Sequence, residues 1–423
     1  MKQILNWLMV FLILTAGKNF VFAQTAGETL SLHKLIEEAL DKNPEIKSAE
    51  RRWLASEQKP TQVSTLPDPA FSYTFFGKNV ETRVGPQENI FTLSQKIPFP
   101  GKLGLKGKMA TQDAVAAKQQ FDATERDVLF KVKKAYYDLY WIDQSIAILN
   151  RYLSLLQNFN TVAEQQYATG KGIQANVLKS QVEISSTMER KLSFEKMREG
   201  VVARINALLD RPQGRKLGIA AAIDTNRVHL KKENLINFAM SQREELQAVQ
   251  AMVQKSEFMK RLARREFWPD FTVRANYIDV SKGVSVAPDA GKNAWSVMAG
   301  INLPIWLGKR KAAVREAEET ISSNKLTFDN VENQVKAEIN DLYYQLDITG
   351  KTLDLYEQGL IAQAESSLES ATSSYRTGKL DFLNLLDAER MLLNLNLGYR
   401  KEQANYQIEL AGLERAVGGK LPQ

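Results

Sequence analysis

The chain has 423 residues, 44% of them hydrophobic, a formal net charge of +7 and no cysteine. That is enough apolar material for a large core, or for a long object with several small ones, and it excludes disulfides, so packing or assembly must hold the fold. The basic balance does not indicate nucleic acid, because Lys and Arg alternate with Asp and Glu along helical stretches, the pattern of a solvated face.

The chain opens MKQILNWLMVFLILTAGKNFVFAQ. Lys2, an apolar run and Val21-Phe22-Ala23 together read as a secretory signal peptide over 1–23, with Gln24 the first mature residue. With no cysteine to acylate, no lipid anchor is expected. Next come a helix over about 32–59, strands over about 70–77 and 88–97, a long helix over about 102–168, and a helix over about 175–209. A linker containing Pro212 follows, over 211–228. The order then recurs: helix 233–267, strands 270–280 and 294–303, long helix 309–376 and helix 381–417.

The punctuation recurs as well. Leu66-Pro67-Asp68-Pro69 and Trp268-Pro269-Asp270 stand where helix becomes strand. Ile97-Pro98-Phe99-Pro100-Gly101-Lys102 and Leu303-Pro304-Ile305-Trp306-Leu307-Gly308-Lys309 stand where strand becomes helix. YATGK at Tyr167 and YRTGK at Tyr375 stand where one helix gives way to the next. Proline suits the strand junctions because it can begin either element and continue neither. Three matched turns in register predict a two-fold repeat, 24–228 and 229–423, forming one intertwined unit.

The long helices carry heptads. Val128, Val132, Ala135, Leu139, Ile142, Ile146, Leu149, Leu153 and Leu156 alternate four and three apart, as do Val335, Ile339, Leu342, Leu346, Thr349, Leu353, Tyr356 and Leu360. That spacing predicts coiled-coil seams, and each helix would reach roughly 100 Å at 1.5 Å per residue. In the strands, Phe71, Tyr73 and Phe75 alternate with Ser72 and Thr74, and Trp295, Val297 and Ala299 alternate with Ser296, Met298 and Gly300. One face is apolar and the other polar, over nearly the length a tilted membrane strand needs. Four strands do not close a barrel, for which about eight is the usual minimum, so neighbouring copies must complete it.

The early helix TLSLHKLIEEALDKNPEIKSAE, the turn LSQKIPFPGKLGLKGKMA and the pair YATGKGIQANVLKSQ and YRTGKLDFLNLLDAER resemble the TolC-type outer-membrane efflux proteins, most closely their cation-efflux branch. The resemblance covers nearly the whole mature length. It implies a mainly α fold with a small membrane β part. It further implies a homotrimer whose twelve strands form a barrel continuous with a helical periplasmic tunnel, at four strands per chain. It also implies a passive exit duct for cations or small toxic compounds, with a periplasmic adaptor and an inner-membrane pump as partners.

By position in that family, Tyr375, Asn384 and Asp387 fall at the gating hydrogen bonds and acidic pore ring of the periplasmic end, with Tyr167, Asn176 and Lys179 as first-half counterparts. Gly170, Lys171, Gly378 and Lys379 fall in the hairpin turns where the adaptor docks. The arginine the family often has two residues after the glycine is replaced by Leu380, so a closed gate is expected to be held by other contacts.

A basic and aromatic set, Phe99, Lys102, Arg264, Arg265, Trp268, Trp306, Lys309 and Arg310, is expected at one level below the barrel, facing lipid phosphates. His33 and His229 lack paired ligands, and no catalytic, metal or cofactor motif stands out. The competing reading is a periplasmic coiled-coil adaptor or scaffold, which should carry one helical hairpin flanked by small β-domains.

Overall fold

A computed structural model of the chain describes residues 29–223, 226–377 and 379–421. The signal-peptide segment and Gly378 lie outside them. In chain order the elements are α1 (Leu32–Lys42), α2 (Pro44–Glu57), α3 (Lys59–Ser64), β1 (Ala70–Thr82), β2 (Gly85–Ile97), α4 (Lys102–Ala168) and α5 (Gln174–Leu208). Then come α6 (Lys232–Gln242), α7 (Glu244–Arg265), β3 (Phe271–Val280), β4 (Ala294–Ile301), α8 (Leu307–Leu355), α9 (Ile361–Arg376) and α10 (Phe382–Val417). The fold is mainly helical with one small antiparallel sheet, as expected.

The long helix begins and ends where the sequence places it. α4 has 67 residues, about 100 Å of helix. Its heptad positions Val128, Val132, Ala135, Leu139, Ile142, Leu149 and Leu156 are all buried, against α1, α5 and the C-terminal helix. A second apolar core gathers Val335, Ile339, Leu346 and Leu353 of α8 around Leu235 of α6 and Leu413 of α10.

The helices expected over 32–59 and 233–267 are each broken in two. Pro44 starts α2 because its ring fixes φ and removes an N–H that a first-turn residue does not need. Asn43, held extended at ψ 123° before it, caps α2 by accepting from the N–H groups of Glu45 (2.8 Å) and Ile46 (3.1 Å). Its amide also donates to the carbonyl of Leu208 at 2.8 Å, so α2 starts where α5 stops. The second break has no proline. Arg243 is extended (φ −64°, ψ 121°) and donates to the carbonyl of Arg415 at 2.7 Å, so α7 starts where α10 stops. The long second-half helix is also interrupted, by one π-turn at Tyr356–Leu360. Asn43→Ala should destabilise the fold by roughly 1–2 kcal/mol, by orphaning two N–H groups and one carbonyl. Urea unfolding followed by circular dichroism would measure it.

The sheet order is β1-β2-β3-β4, antiparallel throughout. Tyr73, Phe91, Tyr277 and Trp295 lie in one row across it, and Ser72, Thr92, Asn276 and Ser296 in the next. The aromatic face is uncovered, with Phe71 67% and Trp295 77% exposed. On the other face Thr92 donates to Asn276 (2.8 Å), which donates to Ser296 (3.1 Å). β1 runs further than the alternation suggests. It continues through a register shift after Phe75 to Thr82, leaving only Arg83 and Val84 as the turn of a hairpin expected to have a loop over 78–87. The outer edges of β1 and β4 are unpaired among the described residues.

Candidate functional site

Two regions hold the residues singled out in the sequence: the helical tips, and the junction between sheet and helices. At the first tip, Gly170 takes φ +70°, a conformation side chains resist. The carbonyl of Gln166 then accepts from the N–H groups of Lys171 (2.9 Å) and Gly172 (3.0 Å), closing α4. At the second tip the N–H of Lys379 reaches the carbonyl of Ser374 at 2.9 Å. Asp381 caps α10 by accepting from the N–H groups of Leu383 (2.8 Å) and Asn384 (3.0 Å).

The two tips touch through Tyr375. Its hydroxyl donates to the side-chain oxygen of Gln166 at 3.1 Å, and its ring lies 5.8 Å from that of buried Phe382, which in turn meets Phe159 at 6.3 Å. Burial pushes the Tyr375 phenol above its ordinary pKa. Tyr167, by contrast, is exposed, and Asn176 is half-buried beyond the first turn. The Asn384 side chain turns back to Asp381 at 3.3 Å.

Asp387 is exposed and accepts from Arg390 at 3.2 Å. Arg390 also grips Glu183 of α5, at 2.7 Å and 3.4 Å, and Tyr152 of α4 donates to the same carboxylate at 3.3 Å. Between α5 and α10, Glu183, Asp387 and Arg390 border a groove of about 340 Å³, floored by Leu178, Val182, Leu383 and Leu386. Arg390, Glu183, Gln166 and Phe382 were not singled out in the sequence. Arg390 was findable, since Asp-x-x-Arg puts it one turn from Asp387 on a helix. Glu183 was not, because its pairing spans 207 residues.

At the other end the structure divides the basic set in two. Lys102 is 2% exposed, so it does not face lipid phosphates as expected. Its ammonium donates to Asp270 (2.8 Å), Glu266 (3.2 Å) and the carbonyl of Trp268 (3.0 Å). The same Asp270 oxygen accepts from the N–H of Phe99 at 2.9 Å, and the Phe99 and Trp268 rings stack at 5.2 Å. Burial opposes ionisation of Asp270, but the bonds from Lys102 and Phe99 outweigh it and hold its carboxyl below the ordinary pKa. Arg265 donates to the carbonyl of Pro100 (2.5 Å) and Arg310 to that of Glu266 (2.6 Å). Gly101, at φ +87°, lets Arg265 approach, since a Cβ there would sit 2.5 Å from its guanidinium. Arg264, Lys309 and Trp306 remain exposed.

Among the described residues, no group of three or more His, Asp or Glu side chains is arranged to hold a metal, and no helix is long and apolar enough to cross a membrane. The family model described as "Outer membrane efflux protein" matches residues 35–210 and 235–419. The chain is 22% identical over 332 residues to the "Probable outer membrane lipoprotein SilC" of Salmonella typhimurium, covering 77% of this chain and 71% of that protein. It is 21% identical over 391 residues to the "Cobalt-zinc-cadmium resistance protein CzcC" of Cupriavidus metallidurans, covering 90% and 88%. The crystal structure of the outer membrane protein VceC from Vibrio cholerae superposes with a TM-score of 0.78 at 20% identity, over 92% of this chain and 97% of that one. A match spanning both halves, together with an open amphipathic sheet on helices of this length, places the chain in the outer membrane efflux protein family.

Proposed function

We propose that the chain is the outer-membrane channel of a tripartite efflux pump, a passive exit duct from periplasm to outside. The observation that carries this reading is the sheet. Among the described residues it has four strands, one uncovered aromatic face, one hydrogen-bonded polar face and two unpaired edges. An open edge is not tolerated in lipid, so three copies close a twelve-stranded barrel, with the aromatic face to lipid and the polar face to water. The helices continue the wall into the periplasm as a tunnel. The repeats 24–228 and 229–423 then alternate around the wall as one intertwined unit.

A periplasmic adaptor docks at the hairpin turns holding Gly170, Lys171, Gly378 and Lys379, and hands over cargo from an inner-membrane pump. The cobalt-zinc-cadmium resistance relative favours cations, and no catalytic role is proposed. Tyr167, Asn176, Tyr375, Asn384 and Asp387 form the periplasmic gate. With Leu380 in place of an arginine, the Tyr375–Gln166 and Arg390–Glu183 contacts hold it closed. Arg264, Trp268 and Trp306 face the membrane interface.

Fractionation should place the protein in the outer membrane as a heat-modifiable oligomer, and the purified oligomer should conduct in planar bilayers. A detergent-free monomer without conductance would end this reading. In the same bilayers Asp387→Asn should roughly halve cation over anion permeability, a modest effect because Arg390 already offsets part of the carboxylate charge.

A further inference from the structure

The junction inside one chain shows how two neighbouring strands dock below the barrel. The connector after β2 carries Phe99 and Lys102, and the segment before β3 carries Trp268 and Asp270. Ring stacks on ring, the ammonium enters the carboxylate, and Ile97 pairs with Phe271 in the sheet above.

The other connector and the other entry segment carry the same sequence marks. Leu303-Pro304 repeats Ile97-Pro98, and Leu66-Pro67-Asp68 repeats Trp268-Pro269-Asp270. Neither finds its counterpart among the described residues of the chain. Ile305 is 66%, Trp306 73% and Leu66 49% exposed, and Asp68 and Lys309 are exposed too. Lys309 matches Lys102 because the second connector is one residue longer. The strands adjoining these segments, β4 and β1, are the two whose outer edges are unpaired among the described residues.

We propose that the connector after β4 makes, on a neighbouring copy of this chain, the junction that the connector after β2 makes internally. Lys309 enters Asp68 of the neighbouring copy, Ile305 covers its Leu66, and β4 pairs with its β1 so that Ile301 stands opposite Phe71, Gly300 opposite Ser72 and Ala299 opposite Tyr73. The register follows from moving the Ile97–Phe271 pairing onto Leu303 and Pro69. It passes an independent requirement, since Ile301, Phe71, Ala299 and Tyr73 all belong to the aromatic face within the chain. A slip of one residue would set Ile301 against the polar row and turn the apolar set to water. The inference rests on the channel reading above and adds which residues join the copies.

The chain has no cysteine, so a pair can be introduced without background. A Cβ added at Gly300 meets nothing closer than 4.0 Å. In oxidised outer membranes, Ser72→Cys with Gly300→Cys should give covalent dimers and trimers. Their yield should exceed that of Ser72→Cys with Ser296→Cys, four residues out of register, on the order of tenfold, because a disulfide bridges Cα atoms only within about 7 Å. Independently, Lys309→Glu should lower the heat-resistant oligomer fraction, and Asp68→Lys added to it should restore that fraction. Heat-resistant oligomers with no cross-link from the in-register pair, or equal cross-linking from both pairs, would overturn the junction while leaving the barrel standing. So would a Lys309→Glu protein as resistant as the parent. An unaltered chain that forms no outer-membrane oligomer would overturn the junction and the channel reading together.

Discussion

Lys102→Met should strip the protein of most of its heat-resistant outer-membrane oligomer. The ammonium lies in a closed space shared by Asp270, Glu266 and the Trp268 carbonyl. Removing it leaves the Asp270 carboxylate, whose side chain is only 13% exposed, with the Phe99 N–H as its one close donor and the exposed Lys96 ammonium, at 3.7 Å, as its one remaining ionic partner among the described residues. Breaking one side of a buried ion pair costs about 3–5 kcal/mol, because the remaining charge loses its partner without regaining water. The loss falls where strand turns into long helix, so Phe99 loosens from Trp268 and both elements lose their relative angle. The measurement is a temperature ramp on purified oligomer, read as the monomer fraction on gels, with Lys106→Met as an exposed control. A Lys102→Met protein that melts with the control would show that the ion pair does not hold the junction.

Glu389→Gln should raise stability at pH 7.5 by on the order of 2 kcal/mol and leave it nearly unchanged at pH 5. Glu389 is buried on α10, and burial pushes its carboxyl up to about 7. Nearby, Tyr152 of α4 and Arg390 both bond to Glu183 of α5, so that carboxylate, not Glu389, receives the available donors. A folded pKa above the unfolded one means that folding favours the protonated form. Stability is therefore highest below the ordinary carboxyl value of 4.5, falls as pH rises towards about 7, and is level above that. Glu409, half-buried beside Thr349 and also pushed up to about 7, contributes a second share of the same slope. Melting curves by helical circular dichroism at pH 5 and 7.5 should show the parent losing stability between them and Glu389→Gln losing about half as much. Equal losses would show that Glu389 is not held neutral.

Much of this architecture was legible before the structure. A strict heptad from Val128 to Leu156 has only one face to bury, and the structure buries it. The alternation from Phe71 to Phe75 fixed which strand face is apolar. What stayed hidden depends on partners far along the chain. Pro44 signals a break, but Arg243 does not, because it is extended only through its grip on Arg415 and Glu338. The far half of β1 has no alternation to read, and its pairing with β2 alone makes it strand. Lys102 looked like an interfacial cation because its neighbours in sequence are basic. Its burial comes from Glu266 and Asp270, more than 160 residues away. At the helical tips, Tyr375 and Asp387 can be placed by position along the chain, whereas the Glu183 carboxylate that engages Arg390 has no sequence mark.

The end-to-end helix joints bear on how the protein is made. Asn43 completes its cap-and-carbonyl link only with Leu208, 165 residues later, and Arg243 completes its own only with Arg415, 172 residues later. An emerging chain therefore lacks each splice until the half that carries it has been delivered whole, even where α1 and α2 already have α4 to pack against. A chain cut short before residue 208 forms neither splice.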